Sequence, residues 1–592
     1  MRQQVQQIFV RTIERLRASG ALAIEQVPAI SVEIPKVADH GDFACNAALV
    51  LAKAARQKPR AIADLIVAQL DDPQRLIEQT TIAGPGFINV RLADSVWRLV
   101  IGEVEAQRER FGWAAAPTGK RVNVEYVSAN PTGPLHVGHG RGAVVGDALT
   151  RLLRAAGHDV TREYYINDHG NQVDTLARSL HLRYQELHGR SVVFPDNAYP
   201  GEYVREIARA LVDEFGARYL DAPEGEWLDL FRQRGIEANL AGIRRDLAAI
   251  GVEFDLWSRE SELHTSGAVS RLVEALSARG ATYVADASQA AGDKVRRQES
   301  KAAQHTEAQQ GGTFARLSQH GDSDDRIVLR RDGRPVYLTS DLAYHLVKFE
   351  RGYDTLIDIF GADHFSHTKT LLAGLRALGM DADRQEFALT QIVRLMRGGQ
   401  EVRLSKRAGN IELLSDLMAA VGPDAARFFF LLRAPTAQFD FDLDVAAQRS
   451  LDNPVFYAQY GHARVCAIFR KAEQSGVVYR GFDATTMEQL RLPEELRMLR
   501  GMAAFGDAVV EAAENREPHR LVYYIDGLIR DFHAYYTKYK KTERILADDP
   551  AVTQARLGLV NALRQVVRNA LDLLGVQAPE QMDALPQEEE TA

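Results

Sequence analysis

Two histidines three residues apart, His136 and His139, stand where a strand would give way to a helix. Residues 122–127 are largely β-branched and apolar, the pattern of a buried strand. Pro131, Gly133 and Pro134 then break the chain. Val144, Ala148, Leu152 and Leu153 carry a helical period beyond the pair. Strand, tight turn and helix N-terminus together form an anion site, because free backbone N–H groups and the positive end of the helix dipole face the turn. Imidazoles at this spacing share one helix face and can both reach an anion. An isolated H-x-x-H also fits coincidence or zinc, but the chain has no H-E-x-x-H and only two cysteines, Cys45 and Cys466.

The whole string Ser128-Ala129-Asn130-Pro131-Thr132-Gly133-Pro134-Leu135-His136-Val137-Gly138-His139 resembles the HIGH signature of class I aminoacyl-tRNA synthetases, in the form used by arginyl-tRNA synthetases. A second segment, Arg403-Leu404-Ser405-Lys406-Arg407-Ala408-Gly409-Asn410, resembles the KMSKS loop of that class, with Arg403 and Leu404 replacing the usual Lys and Met. The resemblance implies attack of an amino-acid carboxylate on the α-phosphorus of ATP. Charge develops on phosphate oxygens in such a step, so it needs cations and positioning more than a nucleophile. His136, His139 and Lys406 are the implied catalytic residues. Pro131, Gly133, Gly138 and Ser405 join them around ATP, whose Mg²⁺ comes with the nucleotide as a substrate metal. No metal held by the protein is expected.

The resemblance also supplies an arginine pocket. A guanidinium is a planar, permanently charged fork of donors, so it calls for well-placed carboxylates. Tyr337-Leu338-Thr339-Ser340-Asp341 resembles the Y-x-T-x-D element that holds it, and Phe254 to Ser261 resembles an F-D-x-x-x-x-E-S element that adds Glu260. Glu125 and Asn130 are expected at the α-amino and carboxylate ends. Gly361-Ala362-Asp363-His364 resembles a G-x-D-H element near substrate, adding Asp363 and His364.

These residues need a frame. The implied fold class is α/β: a Rossmann-like catalytic domain, a small α/β N-terminal domain and an all-α C-terminal anticodon-binding domain. Residues 1–112 alternate helices with Gly-bounded strands; 40–46 and 83–90 resemble the N-terminal domain that contacts the tRNA elbow, which would set Phe87 and Asn89 against a base. Residues 119–395 read as the nucleotide-binding parallel sheet, with a mostly helical insertion at about 190–310. Within it, 293–312 is polar and reads as a solvated helix or disordered loop, with a basic tRNA contact as the alternative. Residues 396–450 carry the KMSKS-like loop and connecting helices. Residues 451–592 are helical and resemble the DALR anticodon-binding domain, where Tyr457, Tyr460, Tyr535 and Tyr536 are candidate base-stacking residues.

At 592 residues the chain is long enough for several cores. A net charge of −8 does not argue against RNA, because basic residues can gather on one face. The two cysteines make no disulfide framework. No apolar run reaches membrane-spanning length, and the amphipathic start (Val5, Ile8, Phe9, Ile13, Leu16) lacks a signal-peptide core. The expectation is a cytoplasmic monomer whose partners are tRNA(Arg), L-arginine and ATP, with no membrane contact.

Overall fold

The computed structural model describes residues 1–35, 37, 40–285, 311–402 and 413–582. The N-terminal unit is a four-stranded antiparallel sheet, ordered β1-β2-β4-β3, of β1 (Val32–Glu33), β2 (Phe43–Cys45), β3 (Ile77–Ala83) and β4 (Phe87–Leu92). Alternation decides which side faces the helices: Ile88, Val90 and Leu92 point into the core while Phe87 and Arg91 stay exposed. The β3–β4 turn needs glycine at position 86, where φ is +146° and a Cβ would come within 3.0 Å of Pro59.

The central unit is a five-stranded, all-parallel sheet. Its strands are β5 (Arg121–Glu125), β6 (Asp159–Ile166), β7 (Leu256–Arg259), β11 (Thr355–Gly361) and β12 (Gln385–Thr390), in the order β12-β11-β5-β6-β7. β5 lies in the middle, so residues leaving its carboxyl end enter the crevice where such sheets bind ligands. Between β7 and β11 lies a small antiparallel sheet, β10-β9-β8, built from β8 (Thr282–Ala285), β9 (Gly312–Ala315) and β10 (Arg326–Arg330).

The helical insertion differs from its expected span. Helices Asn171–Leu187, Glu202–Phe215 and Glu224–Ala249 form it around a core that includes Leu180, Tyr184, Leu211 and Phe231, and the chain then rejoins the main sheet as β7. A four-residue strand flanked by Asp255 and Glu260 carries too little periodicity to stand out. Most of the polar stretch 293–312 lies outside the described residues; its last residue, Gly312, opens β9.

Residues 396–450 are also more than loop and helices. β13 (Val393–Arg397), β14 (Gln400–Glu401) and β15 (Phe439–Asp442) make a small sheet beside helices Leu414–Val421 and Pro423–Phe430. Beyond them the chain is helical, including Pro454–Gln474, His519–Tyr539 and Pro550–Leu573. Buried Arg427 ties the units together: it donates to Ile250 O at 2.7 Å and Leu574 O at 3.0 Å, and pairs with Asp147 on the helix that follows β5. Among the described residues, no helix is long and apolar enough to cross a membrane.

Candidate active site

The turn after β5 is strained and held on every side. Val127 and Ser128 both adopt positive φ, +68° and +40°, which is costly for a β-branched residue and is sustained only by its surroundings. Ser128 Oγ donates to Glu125 Oε1 at 2.9 Å and accepts from Tyr165 N–H at 3.1 Å. Further along, Tyr164 OH donates to Ala129 O (2.9 Å), Asn239 Nδ2 to Pro131 O (3.0 Å) and Tyr203 OH to Thr132 O (2.7 Å). The last two donors come from the helical insertion, so that insertion clamps the turn.

His136 is the N-cap of helix Val137–Ala155. Its ring stacks on His139, with centroids 3.6 Å apart, and its N–H donates to His139 Nδ1 at 3.3 Å. That bond leaves the proton of neutral His139 on Nε2, free to donate to an anion. Gly138 permits the arrangement: a Cβ there would lie 3.0 Å from His136 Nδ1 and Cε1. Burial, then the neighbouring His136, pushes the His139 pKa down to about 3. Its folded value lies below the ordinary one, so it weakens the fold only as pH falls from about 6.5 toward 3, and is neutral above. Site-resolved NMR of the ring is expected to show no titration from pH 8 down to 5. A midpoint near 6 would mean that His139 is not held stacked and shielded from water as described.

Ser405 and Lys406 lie outside the described residues, but both flanks of their segment are fixed. Val402 N–H donates to Leu395 O at 2.8 Å. On the other side Leu413 bridges His136, and Leu414 N–H donates to Leu135 O at 2.9 Å. Leu413 and Leu414, the first described residues after the second signature segment, therefore pair with the first signature.

Beside the histidine turn, the strand ends gather carboxylates. Glu260 is buried at the start of helix Glu260–Thr265, just after β7. Asp341 is buried on helix Tyr337–Glu350, and His367 Nε2 lies 2.7 Å from its Oδ2. Tyr337 is half exposed, and its phenol is pushed up first by the Asp341 charge, then by burial and by Glu260 and Glu125. Tyr165, at the end of β6, is raised by burial and then by Glu260 and Asp341. Its buried hydroxyl has no hydrogen-bond partner among the described residues. Orphaned buried hydroxyls are rare, and this one borders an acidic pocket that would receive a cation.

Not every expected residue reaches this pocket. Asn130 is exposed and donates to Gln172 Oε1 at 2.8 Å. Asp363 and His364 follow β11 on the exposed rim, 3.6 Å from one another; from that segment it is His367 that touches Asp341. Sequence reasoning passed over Tyr165 and His367. Tyr165 sits beside Tyr164 and looks like strand core, and His367 lies three residues past the recognised G-x-D-H.

Under the pocket runs a buried ionic floor. Lys348 Nζ, with no exposed surface, lies 2.8 Å from Glu125 Oε2 and 2.5 Å from Asp358 Oδ1. His345 donates from Nδ1 to the Asp341 carbonyl at 2.7 Å, and its Nε2 is 2.8 Å from Asp358 Oδ2. Arg351 pairs with Glu163 at 2.8 Å, and Tyr344 OH donates to the same carboxylate. Lys348, Arg351 and the His345 imidazole thus face three carboxylates. Burial opposes ionisation, yet Lys348 pulls Asp358 below the usual range, while Asp358 and Glu125 hold Lys348 above its own. For Glu125 burial wins and its pKa is raised.

The candidate tRNA residues divide. Phe87 is 41% exposed, but Asn89, on the same face of β4, is only 5% exposed because β2 and β3 flank it. Tyr535 is core: 1% exposed, with its hydroxyl 3.3 Å from Glu495 Oε1. Tyr460 is buried against Phe456 as well. Both follow the apolar period of their helices, which packing claims first. Tyr457 and Tyr536 keep partial exposure, Tyr536 under the Arg464 guanidinium at 4.4 Å.

Comparison with known proteins agrees across the chain. Residues 3–92 match the arginyl tRNA synthetase N terminal domain, 102–195 the catalytic domain of class I (R) tRNA synthetases, and 458–582 the DALR anticodon binding domain. An arginine–tRNA ligase of Anaeromyxobacter sp. (strain K) is 48% identical over 559 residues, covering 94% of this chain and 93% of the relative. That of Citrifermentans bemidjiense is 42% identical over 582 residues, covering 98% and 100%. The arginyl-tRNA synthetase of Thermus thermophilus shares the fold, with a TM-score of 0.72 at 21% identity, over 98% of this chain and 100% of that one. With a strained, histidine-capped anion turn set beside an acidic pocket, and relatives of this identity over nearly its whole length, the chain belongs to the arginine–tRNA ligases, a family of class I aminoacyl-tRNA synthetases.

Proposed function

We propose that the chain joins L-arginine to tRNA(Arg) through arginyl-adenylate, releasing pyrophosphate and then AMP, with the following division of labour. The observation that carries this reading is that Glu125 joins two sites: its carboxylate accepts from Ser128 in the turn that leads to His136 and His139, and its charge acts on Tyr337 together with those of Asp341 and Glu260.

His136 and His139 donate to ATP phosphates as the α-phosphorus becomes five-coordinate, and the backbone around Pro131, Gly133 and Gly138 admits the nucleotide. Mg²⁺ enters with ATP and offsets the β- and γ-phosphate charge. Ser405 and Lys406 meet the leaving pyrophosphate. Asp341, Glu260 and Tyr337 hold the guanidinium, and Tyr165 adds an acceptor. Glu125 takes the α-ammonium, since a carboxylate already bonded to Lys348 and Ser128 keeps further lone pairs. Asn130 takes the carboxylate, and Asp363 and His364 form the outer rim. Phe87, Tyr457 and Tyr536 present aromatic faces to unpaired tRNA bases. The enzyme acts as a cytoplasmic monomer.

The test is ATP–pyrophosphate exchange with each amino acid, with and without tRNA(Arg). Exchange is expected with arginine alone among the amino acids, and only when tRNA is present. Exchange supported by another amino acid would overturn the substrate reading; arginine-dependent exchange without tRNA would overturn the tRNA requirement alone.

A further inference from the structure

At the edge of the arginine pocket, Glu260 also belongs to a second cluster, whose two histidines the adenylation chemistry does not use. His169 lies in the turn after β6, and Glu260 and His264 lie four residues apart on the helix after β7. One ligand atom from each falls within 4.8 Å of the other two. The two imidazoles stack with centroids 4.1 Å apart, and His264 Nε2 is 3.8 Å from Glu260 Oε1. The carrying elements are locked together. Asp168, next to His169, pairs with Arg259 at 2.9 Å and accepts from Ser261 N–H at 2.8 Å and Ser261 Oγ at 2.9 Å. With its amide nitrogen turned toward Glu260, Asn167 donates to Glu260 Oε2 at 2.7 Å, which leaves Oε1 on the histidine side. This is the kind of outer hydrogen bond that orients a ligating carboxylate.

We propose that His169, Glu260 and His264 bind a divalent transition-metal ion of the zinc type, and that its binding competes with arginine. Two imidazoles and a carboxylate with an open fourth position suit Zn²⁺, Co²⁺ or Ni²⁺; Mg²⁺ and Ca²⁺ prefer all-oxygen sets. Tetrahedral bonds of about 2.0–2.1 Å put ligand atoms about 3.4 Å apart. The cluster reaches that by closing about 1.4 Å at most and by rotating the exposed His169 ring out of its stack on His264, since an imidazole binds a metal in its own plane. Exposed His169 also leaves the ion a way in from solvent. The competition follows because the ion and the guanidinium would share Glu260; this part rests on the pocket assignment made above.

The experiment uses the full chain stripped with chelator and titrated with Co²⁺, whose visible absorption intensifies in a four-coordinate site. The expected result is one saturable Co²⁺ per chain, displaced by Zn²⁺ and abolished in His169→Gln and in His264→Gln, both checked for wild-type melting. Absorption that is absent, or that survives both substitutions in folded protein, would overturn the site. Separately, Zn²⁺ is expected to raise the arginine KM of the wild type in exchange assays and not that of His169→Gln. If Co²⁺ binding behaves as expected and the arginine KM does not move, the metal site stands and its overlap with the guanidinium is wrong.

Discussion

Asp341→Asn is expected to raise the arginine KM and cut kcat/KM for arginine-dependent exchange by about 30- to 4000-fold, with the ATP KM little changed. The substitution keeps the shape of the side chain and removes one charge. Truncating one partner of a buried, hydrogen-bonded charge pair costs about 2–5 kcal/mol, much of it the penalty of leaving the other charge unpaired, and each 1.4 kcal/mol is about tenfold. Asp341 is buried, already fixed by His367, and is the first cause of the raised Tyr337 phenol, so its charge acts within the pocket. Citrulline, the neutral isostere of arginine, supplies the control. The wild type should discriminate strongly against it, and Asp341→Asn should narrow that ratio. An unchanged arginine KM would place the guanidinium elsewhere.

The sequence made the outline of this site legible because its strongest signals are local. The run before Ser128, the Pro/Gly turn and the His136–His139 pair are contiguous, and they fold as strand, turn and helix, although the strand stops at Glu125 and Val127 already belongs to the turn. Asp341 and Glu260 could be recognised because each lies in its own short motif. What stayed hidden depends on long-range contact. Lys348 reads as one more charge on an amphipathic helix, and only the sheet brings Glu125, more than two hundred residues earlier, to its ammonium. The positive φ of Val127 and Ser128 has no sequence mark, since glycine is what usually announces it. Tyr535 and Tyr460 erred in the opposite direction: aromatics on an RNA-binding helix look like base platforms, but helical period sends these two into the core. β7 was too short to assert itself until the parallel neighbour β6 was in place.

Lys348→Met should test the ionic floor. The methionine keeps most of the length of the side chain and removes the ammonium, leaving Glu125 and Asp358 buried without their main counter-charge. Breaking a buried pair from one side typically costs about 3–5 kcal/mol. At about 2 °C per kcal/mol for a large domain, the catalytic unit is expected to melt about 6–10 °C lower at pH 8. The pH dependence has a definite sign. In the wild type Asp358 has a depressed pKa, so its contribution is present above the ordinary carboxylate range and fades as pH falls through the folded value. In the variant the orphaned carboxylates have raised values, so protonation on mild acidification relieves the penalty. The difference in Tm should therefore narrow from pH 8 toward pH 5.5. Activity should fall along with stability if Glu125 and Asp341 bind the two ends of arginine as proposed, because Lys348 holds Glu125 and His345 links Asp358 to the carbonyl of Asp341. A Tm gap that is constant with pH would mean that the loss is of packing rather than of charge, and an unchanged Tm would mean that Lys348 does not carry the load its burial implies.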